Sequence, residues 1–159
     1  MLAGARSTGA FPGIALRDLE GTERPLSEAW SEGEALVLIG HRDCTTTRET
    51  LPYLDRIHRR RGPGRAVRLV LQDDADAARG LVKDLGLEVP VRLEEDPYPL
   101  AADLELIAVP TLFLVGTDGR IARVSEGFSR ADLEGFAERL GVRGPLFVPE
   151  DAAPEFRPG

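Results

Sequence analysis

Sulfur is nearly absent from this chain: one cysteine, Cys44, and one methionine occur in 159 residues. A single cysteine excludes an intramolecular disulfide and any zinc or iron–sulfur site built from several cysteines. Lysine is almost missing too, with Lys83 alone among many arginines, a bias that points to genome composition rather than to function. Long apolar runs are lacking. None approaches the ~18 residues that span a bilayer, and the opening segment has no apolar core of leader length. A cytoplasmic protein without a membrane span is therefore expected. Basic charge is in deficit as well: the net charge of −7 argues against binding to nucleic acid or to an anionic membrane. Two histidines and one cysteine make a thin metal inventory whose spacing fits no zinc site. Neither a metal nor a cofactor is expected.

What is present suits one soluble domain with a substantial core, at 42% hydrophobic and 30% charged residues. Residues 1–13, small and punctuated by glycine and proline, read as a loose, flexible arm; 14–141 form the domain; 142–159 are a tail that either packs as an extended arm or is disordered. Within the domain, Ile14–Leu19 and a turn at Glu20-Gly21-Thr22 read as a short hairpin or edge strand. Ser27 reads as the cap of a helical turn reaching Trp30. Leu36–Ile39 and Ala66–Leu71 are continuous apolar runs, the pattern of strands covered on both faces. Between them Leu51, Leu54 and Ile57 recur at helical spacing opposite Arg56, Arg59 and Arg60, with Pro52 as an expected kink. Those arginines, with Arg61, read as a solvated face; His58 beside them is expected to be exposed and without a role.

A second helix is predicted from Gln72 to Leu85, with Asp73, Asp74 and Asp76 in its first turn and Gly86 as its C-cap. Val89–Leu93 reads as a short extended piece and Leu100–Leu106 as a short helix. Thr111–Val115 is a third strand, which a tight turn at 117–120 returns as Ile121–Val124. Ser129 caps a last helix, Arg130–Leu140. Parallel strands joined by helices imply a central sheet with helices on both faces.

Cys44 stands where the first predicted strand hands over to the first long helix, in His41-Arg42-Asp43-Cys44-Thr45-Thr46-Thr47-Arg48. There the first helical N–H groups and the helix dipole favour an anion, and thiolate is the nucleophilic form of cysteine. Arg42 and Arg48 add positive potential, and Thr47, one turn on, is placed to donate a hydrogen bond to the sulfur. Asp43 opposes these effects, because a neighbouring carboxylate disfavours a second anion. His41 is either a base or a plain loop residue. A dithiol redox motif needs a second cysteine at position 47, where this chain has threonine. The bland alternative is a structural cysteine, buried and inert.

In this order the segments resemble the thioredoxin fold, and within it the redoxin branch of TlpA-like thiol-disulfide oxidoreductases and alkyl hydroperoxide reductase/thiol-specific antioxidant proteins. Leu16-Arg-Asp-Leu-Glu-Gly-Thr-Glu-Arg-Pro-Leu-Ser27 is similar to that branch's N-terminal hairpin. Cys44-Thr-Thr-Thr47-Arg48 lies where the branch has C-x-x-C followed by a basic residue, with Pro52 further on. Val109-Pro110-Thr111-Leu-Phe-Leu-Val-Gly-Thr-Asp-Gly119 resembles its V-P-T-x-F-L-x-x-x-D-G segment. The resemblance implies an α/β thioredoxin fold with a central mixed sheet, helices on both faces and an N-terminal β-hairpin extension. It also implies a cis Val109–Pro110 peptide beside the active cysteine. Thr47 in place of the resolving cysteine and Asp43 in place of the usual aromatic are departures. The Pro and Thr that precede a peroxidase cysteine are absent, with His41 three residues upstream instead.

One sulfur cannot close and release an internal disulfide, so the chemistry left to it is monothiol. The expected function is a monothiol oxidoreductase with Cys44, Thr47 and Arg48 as catalytic residues. Val109, Pro110 and Asp43 would contact a thiol or disulfide substrate, whether a protein or a small molecule. A Cys44-linked homodimer is a further possibility. Two alternatives stand beside this reading: a redox-inactive module that binds partner chains in the proline groove, and a 1-Cys thiol peroxidase cycling through sulfenic acid.

Overall fold

The computed structural model describes residues 4–159. In chain order the strands are β1 (Ala15–Arg17), β2 (Glu23–Pro25), β3 (Ala35–Gly40), β4 (Ala66–Leu71), β5 (Val91–Leu93), β6 (Thr111–Val115), β7 (Ile121–Glu126), β8 (Phe128–Ser129) and β9 (Phe156–Arg157). The helices are α1 (Thr45–Arg60), α2 (Ala75–Leu85), α3 (Pro99–Asp103) and α4 (Arg130–Arg139), with 3-10 turns at Leu26–Trp30 and Pro149–Asp151. Seven strands form one mixed sheet in the order β2-β1-β5-β4-β3-β6-β7. β3 runs parallel to β4 and antiparallel to β6, so it is an interior strand where the parallel part of the sheet meets the antiparallel part, and all six of its residues are buried.

Alternation along β3 and β6 sends side chains to two separate cores. Leu36, Leu38, Leu112 and Leu114 face α1, α2 and α4, together with Leu51, Leu54, Ile57, Leu81, Leu133 and Phe136. Val37, Ile39, Phe113 and Val115 face the other way, under Trp30, Leu100, Leu104 and Phe11. One layer therefore holds three long helices, whereas the other holds one short helix, a 3-10 turn and the N-terminal segment.

Several predicted signals act as expected: Gly86 ends α2 in the left-handed conformation with φ 62°, Asp76 lies in its first turn, and Ser129 Oγ accepts from Asp132 N at 3.2 Å as the cap of α4. Others do not. α2 starts at Ala75 rather than Gln72, so Asp74 is its cap instead of a first-turn residue, with Oδ1 accepting from Ala77 N at 2.8 Å. Ser27 caps nothing: the turn begins at Leu26 behind Pro25, without a side-chain cap bond. Asp73 lies outside α2 and instead accepts from Arg42 N at 2.9 Å, tying the loop before Cys44 to the end of β4. The Arg56, Arg59 and Arg60 face is not merely solvated. Arg56 bonds Leu146 O at 2.7 Å and pairs with both Asp151 oxygens, and Arg60 bonds Pro145 O at 3.1 Å. These cations meet the C-terminal tail, which folds back along α1.

The segment expected as a loose arm is laid down from residue 4 onward. Ala10 bridges Arg120, Phe11 N donates to Gly119 O at 2.8 Å, and Phe11 is 3% exposed. Its first three residues lie outside the described residues. The tail packs: Leu146 and Phe147 are buried, and β9 pairs with β8. Among the described residues no helix is long and apolar enough to cross a membrane.

Candidate active site around Cys44

Cys44 is the N-cap residue of α1, in extended conformation with φ −89° and ψ 116°. It stands at the carboxyl end of the parallel strands, one short loop after β3. That loop is pinned twice: Gln72 N donates to Gly40 O at 2.9 Å, and Asp73 holds Arg42 N. Gly40 has no alternative at this junction, because a Cβ there would sit 2.7 Å from Thr47 Cγ2 and 2.8 Å from Thr47 Oγ1. Glycine lets the first turn of α1 close down on the end of β3.

The sulfur has two polar neighbours. Thr47 N donates to Cys44 Sγ over 3.4 Å, and the thiol donates to Val109 O over 3.3 Å. The first contact is the ordinary N-cap bond to the third helical N–H, with sulfur as the acceptor. Sixteen residues of helix lie behind it, so the positive end of the macrodipole points at the same atom. The second contact joins residues 65 apart in sequence and brings the Val109–Pro110 segment to the sulfur. That peptide is cis, as is Asp96–Pro97. Cys44 is partly exposed and is a free thiol.

The structure distributes the other predicted residues unevenly. Thr47 is fully buried, and its hydroxyl has no hydrogen-bond partner among the described residues. Thr47 does donate to the sulfur, as the sequence suggested, and it does so through its backbone amide; Oγ1 is turned against Gly40. Arg48 contributes its amide to Cys44 O at 3.1 Å, closing the first turn. Asp43 is exposed and pairs with the Arg42 guanidinium at 3.4 Å, which offsets its charge. His41 accepts the Cys44 amide with its carbonyl at 3.2 Å. His58 lies a full helix away, half-buried beside Arg61, and burial first and then the Arg61 charge push its pKa below the ordinary 6.5.

Thr46 carries no site role predicted from the sequence, yet its Oγ1 donates to Pro158 O at 2.7 Å. Glu94 was also missed: it is buried, accepts Leu100 N and Ala101 N at the start of α3, and takes a bond from Gln72 Nε2 at 3.0 Å. A buried carboxylate with three donors is a structural anchor. A surface cleft of about 610 Å³ between α4 and the tail is lined by Arg130, Glu134, Glu138 and Phe147. Its lining holds no cysteine, histidine, serine or threonine.

The fold is thioredoxin-like. No protein-family model matches the chain, and no curated protein matches it. Solved structures do. A thiol-disulfide oxidoreductase from Bacteroides fragilis superposes with a TM-score of 0.73 at 18% identity, over 83% of this chain and 99% of its own. The thioredoxin domain of a thiol-disulfide oxidoreductase from Bacteroides vulgatus gives 0.71 at 19% identity, over 87% and 97%. StoA from Bacillus subtilis gives 0.67 at 17% identity, over 82% and 98%. At these identities the likeness is one of fold.

Proposed function

We propose that this protein is a thiol-disulfide oxidoreductase that works through a single sulfur, Cys44. The observation that carries the reading is the position of that sulfur, which caps a 16-residue helix, accepts the Thr47 amide and contacts Val109 O. Two of the structures with the same fold are described as thiol-disulfide oxidoreductases, which supports the same reaction class.

In the proposed reaction the Cys44 thiolate attacks one sulfur of a substrate disulfide R–S–S–R′. A Cys44–S–S–R bond forms, and R′–S⁻ leaves with the electron pair of the broken bond. An external thiolate R″–S⁻ then attacks the R sulfur, releasing Cys44 as thiolate and R–S–S–R″. No second cysteine is available, so an external thiol must resolve the intermediate. The Thr47 amide stabilises the sulfur anion as attacking and as leaving group. Arg48 adds positive potential at the first turn, and Val109 and Pro110 present backbone to the substrate. Asp43, paired with Arg42, marks the solvent side of the site.

Intact-mass analysis after exposure to glutathione disulfide, and separately to hydrogen peroxide, tests this. One reversible glutathione adduct is expected, absent from Cys44→Ser and removed by excess thiol. No adduct at neutral pH would end the proposal. Peroxide consumption with a trapped sulfenic acid would move the assignment to a 1-Cys peroxidase, and a species of twice the mass would show a Cys44-linked dimer.

A further inference from the structure

The backbone beside Cys44 is already met by an extended segment, and that segment is this chain's own tail. Arg130 N donates to Glu155 O at 3.0 Å, and β9 then pairs antiparallel with β8, Phe128 opposite Arg157 and Ser129 opposite Phe156. Beyond β9, Thr46 Oγ1 donates to Pro158 O at 2.7 Å. Gly159 then lies flat on the Ala108–Val109 peptide: a Cβ on it would sit 2.5 Å from Val109 O and 3.2 Å from Ala108 Cβ. Val109 O is the same oxygen that accepts the Cys44 thiol at 3.3 Å. The tail therefore spans from the edge of β8, past the first turn of α1, to the carbonyl that holds the sulfur.

We infer that residues 154–159 are an intramolecular occupant of the strand-binding groove beside Cys44, and that the partner this groove takes is an extended polypeptide segment, which must displace them. The inference rests on the proposed function only for the fate of the bound strand, not for its binding. The contacts are mostly main-chain ones: two backbone carbonyls of the tail accept bonds, and a two-residue ladder forms. Main-chain pairing of this kind tolerates many sequences, with specificity left to the positions that touch the wall. At Val109 that position is glycine, so a partner strand needs a small residue there. Displacement is cheap because the segment buries little. Phe156 is 56% exposed, and the ion pairs of Arg157 with Glu49 at 3.7 Å and Arg130 with Glu155 at 3.9 Å lie at the surface. The firm anchor lies upstream, at Leu146, Phe147 and Asp151. The tail can leave the groove without leaving the protein.

The test uses the full chain and two substitutions that disturb only the strap. Gly159→Leu brings a side chain against Val109 O, and Arg157→Glu sets a carboxylate against Glu49. The probe is a fluorescein-labelled peptide Ala-Pro-Glu-Phe-Arg-Pro-Gly, the sequence of residues 153–159, and its non-covalent binding is read by anisotropy in a Cys44→Ser background. A competitor in place nine-tenths of the time lowers apparent affinity about tenfold, so either strap substitution should tighten binding by about that factor. A parallel readout compares alkylation of Cys44 by iodoacetamide with its reaction with a version of the peptide in which cysteine replaces the phenylalanine and carries a 2-nitro-5-thiobenzoate disulfide, so that attack on the peptide sulfur releases 2-nitro-5-thiobenzoate. The peptide reaction should accelerate in the strap variants, and the iodoacetamide rate should hold within about twofold. Equal peptide affinity with and without the strap substitutions overturns the inference, as does an equal acceleration of both reagents. Tighter peptide binding with an unreactive Cys44 keeps the strap and removes the redox function. A reactive Cys44 with unchanged peptide affinity does the reverse.

Discussion

The two ends of the chain are both tied to the sheet, but to opposite faces and in different ways. The N-terminal segment lies in the thinner layer. Arg6 N bonds Leu104 O, Ala10 bridges Arg120, and Phe11 packs edge-on to Trp30 and Phe113 with ring centroids 5.5 and 5.3 Å apart. Among the described residues it covers the core of that layer, and none of the hydrogen bonds it makes reaches Cys44. The C-terminal tail lies in the three-helix layer and is graded along its length. Phe147 stacks on Tyr53 at 4.6 Å, beneath the Arg130 guanidinium at 4.9 Å, and Asp151 forks onto Arg56. After that point the contacts become polar, exposed and few, and there the tail reaches the groove. An end held by buried rings is part of the fold; an end held by surface hydrogen bonds opens at a small fraction of the global stability.

Truncating the two buried rings gives the sharpest contrast. Phe11→Ala should lose about 3–4 kcal/mol, the usual result of emptying a filled phenylalanine site, read as a lower urea midpoint. Its Cys44 alkylation rate in the folded protein should match the wild type. Phe147→Ala should lose a similar or slightly smaller amount, about 3 kcal/mol, and should also speed the reaction of Cys44 with a peptide disulfide, because the anchor of the strap is gone. Accelerated chemistry in both variants, or in neither, would erase the distinction between the ends.

Arg56→Met tests the polar half of the tail anchor. It leaves Asp151 without its bidentate partner and Leu146 O without a donor, so a loss of about 1–3 kcal/mol is expected. The same pair predicts a pH dependence. The Arg56 hydrogen bond first, then the Val148 amide, hold the Asp151 carboxyl below its ordinary 3.8. A carboxylate whose folded value is depressed adds stability above its unfolded value and loses that contribution as pH falls from there through the folded value. Tail docking should therefore weaken as pH drops below about 4, and Asp151→Asn should flatten the change. An acid profile identical in wild type and Asp151→Asn would remove this pair from the account.

Thr47→Val is the smallest change. The buried hydroxyl has no partner, so replacing it with a methyl of similar shape should be neutral or stabilising by up to about 1 kcal/mol. The amide contact to Cys44 Sγ is kept, and the alkylation rate should hold. A large fall in rate would mean that the hydroxyl serves the sulfur after all.

Much of this was legible in the residues. β3, β4 and β6 announce themselves as apolar runs, and Asp74, Gly86 and Ser129 act as local signals because caps involve residues three or four apart. Cys44 was legible for the same reason: the strand end and helix start that place it are neighbours in sequence. Its partner at Val109 entered only through resemblance. The solvated reading of Arg56 failed because the groups it binds are 90 and 95 residues away. The donor from Thr47 was legible as a residue but not as an atom: the spacing brings Thr47 to the sulfur, and the approach of α1 to Gly40 decides which way its side chain turns.

By itself, then, the sequence determined that this protein has one thiol, that the thiol stands at the start of a helix, and that the chain holds no second one. Only the tertiary structure decided that Val109 O and the Thr47 amide meet the sulfur, and that the last residues of the tail lie against Thr46 and Val109. Local hydrogen bonding and hydrophobic period act over a few residues and are written in the order of the chain. Which distant segments share a groove depends on how two cores pack on opposite faces of one sheet, and no short window of sequence carries that.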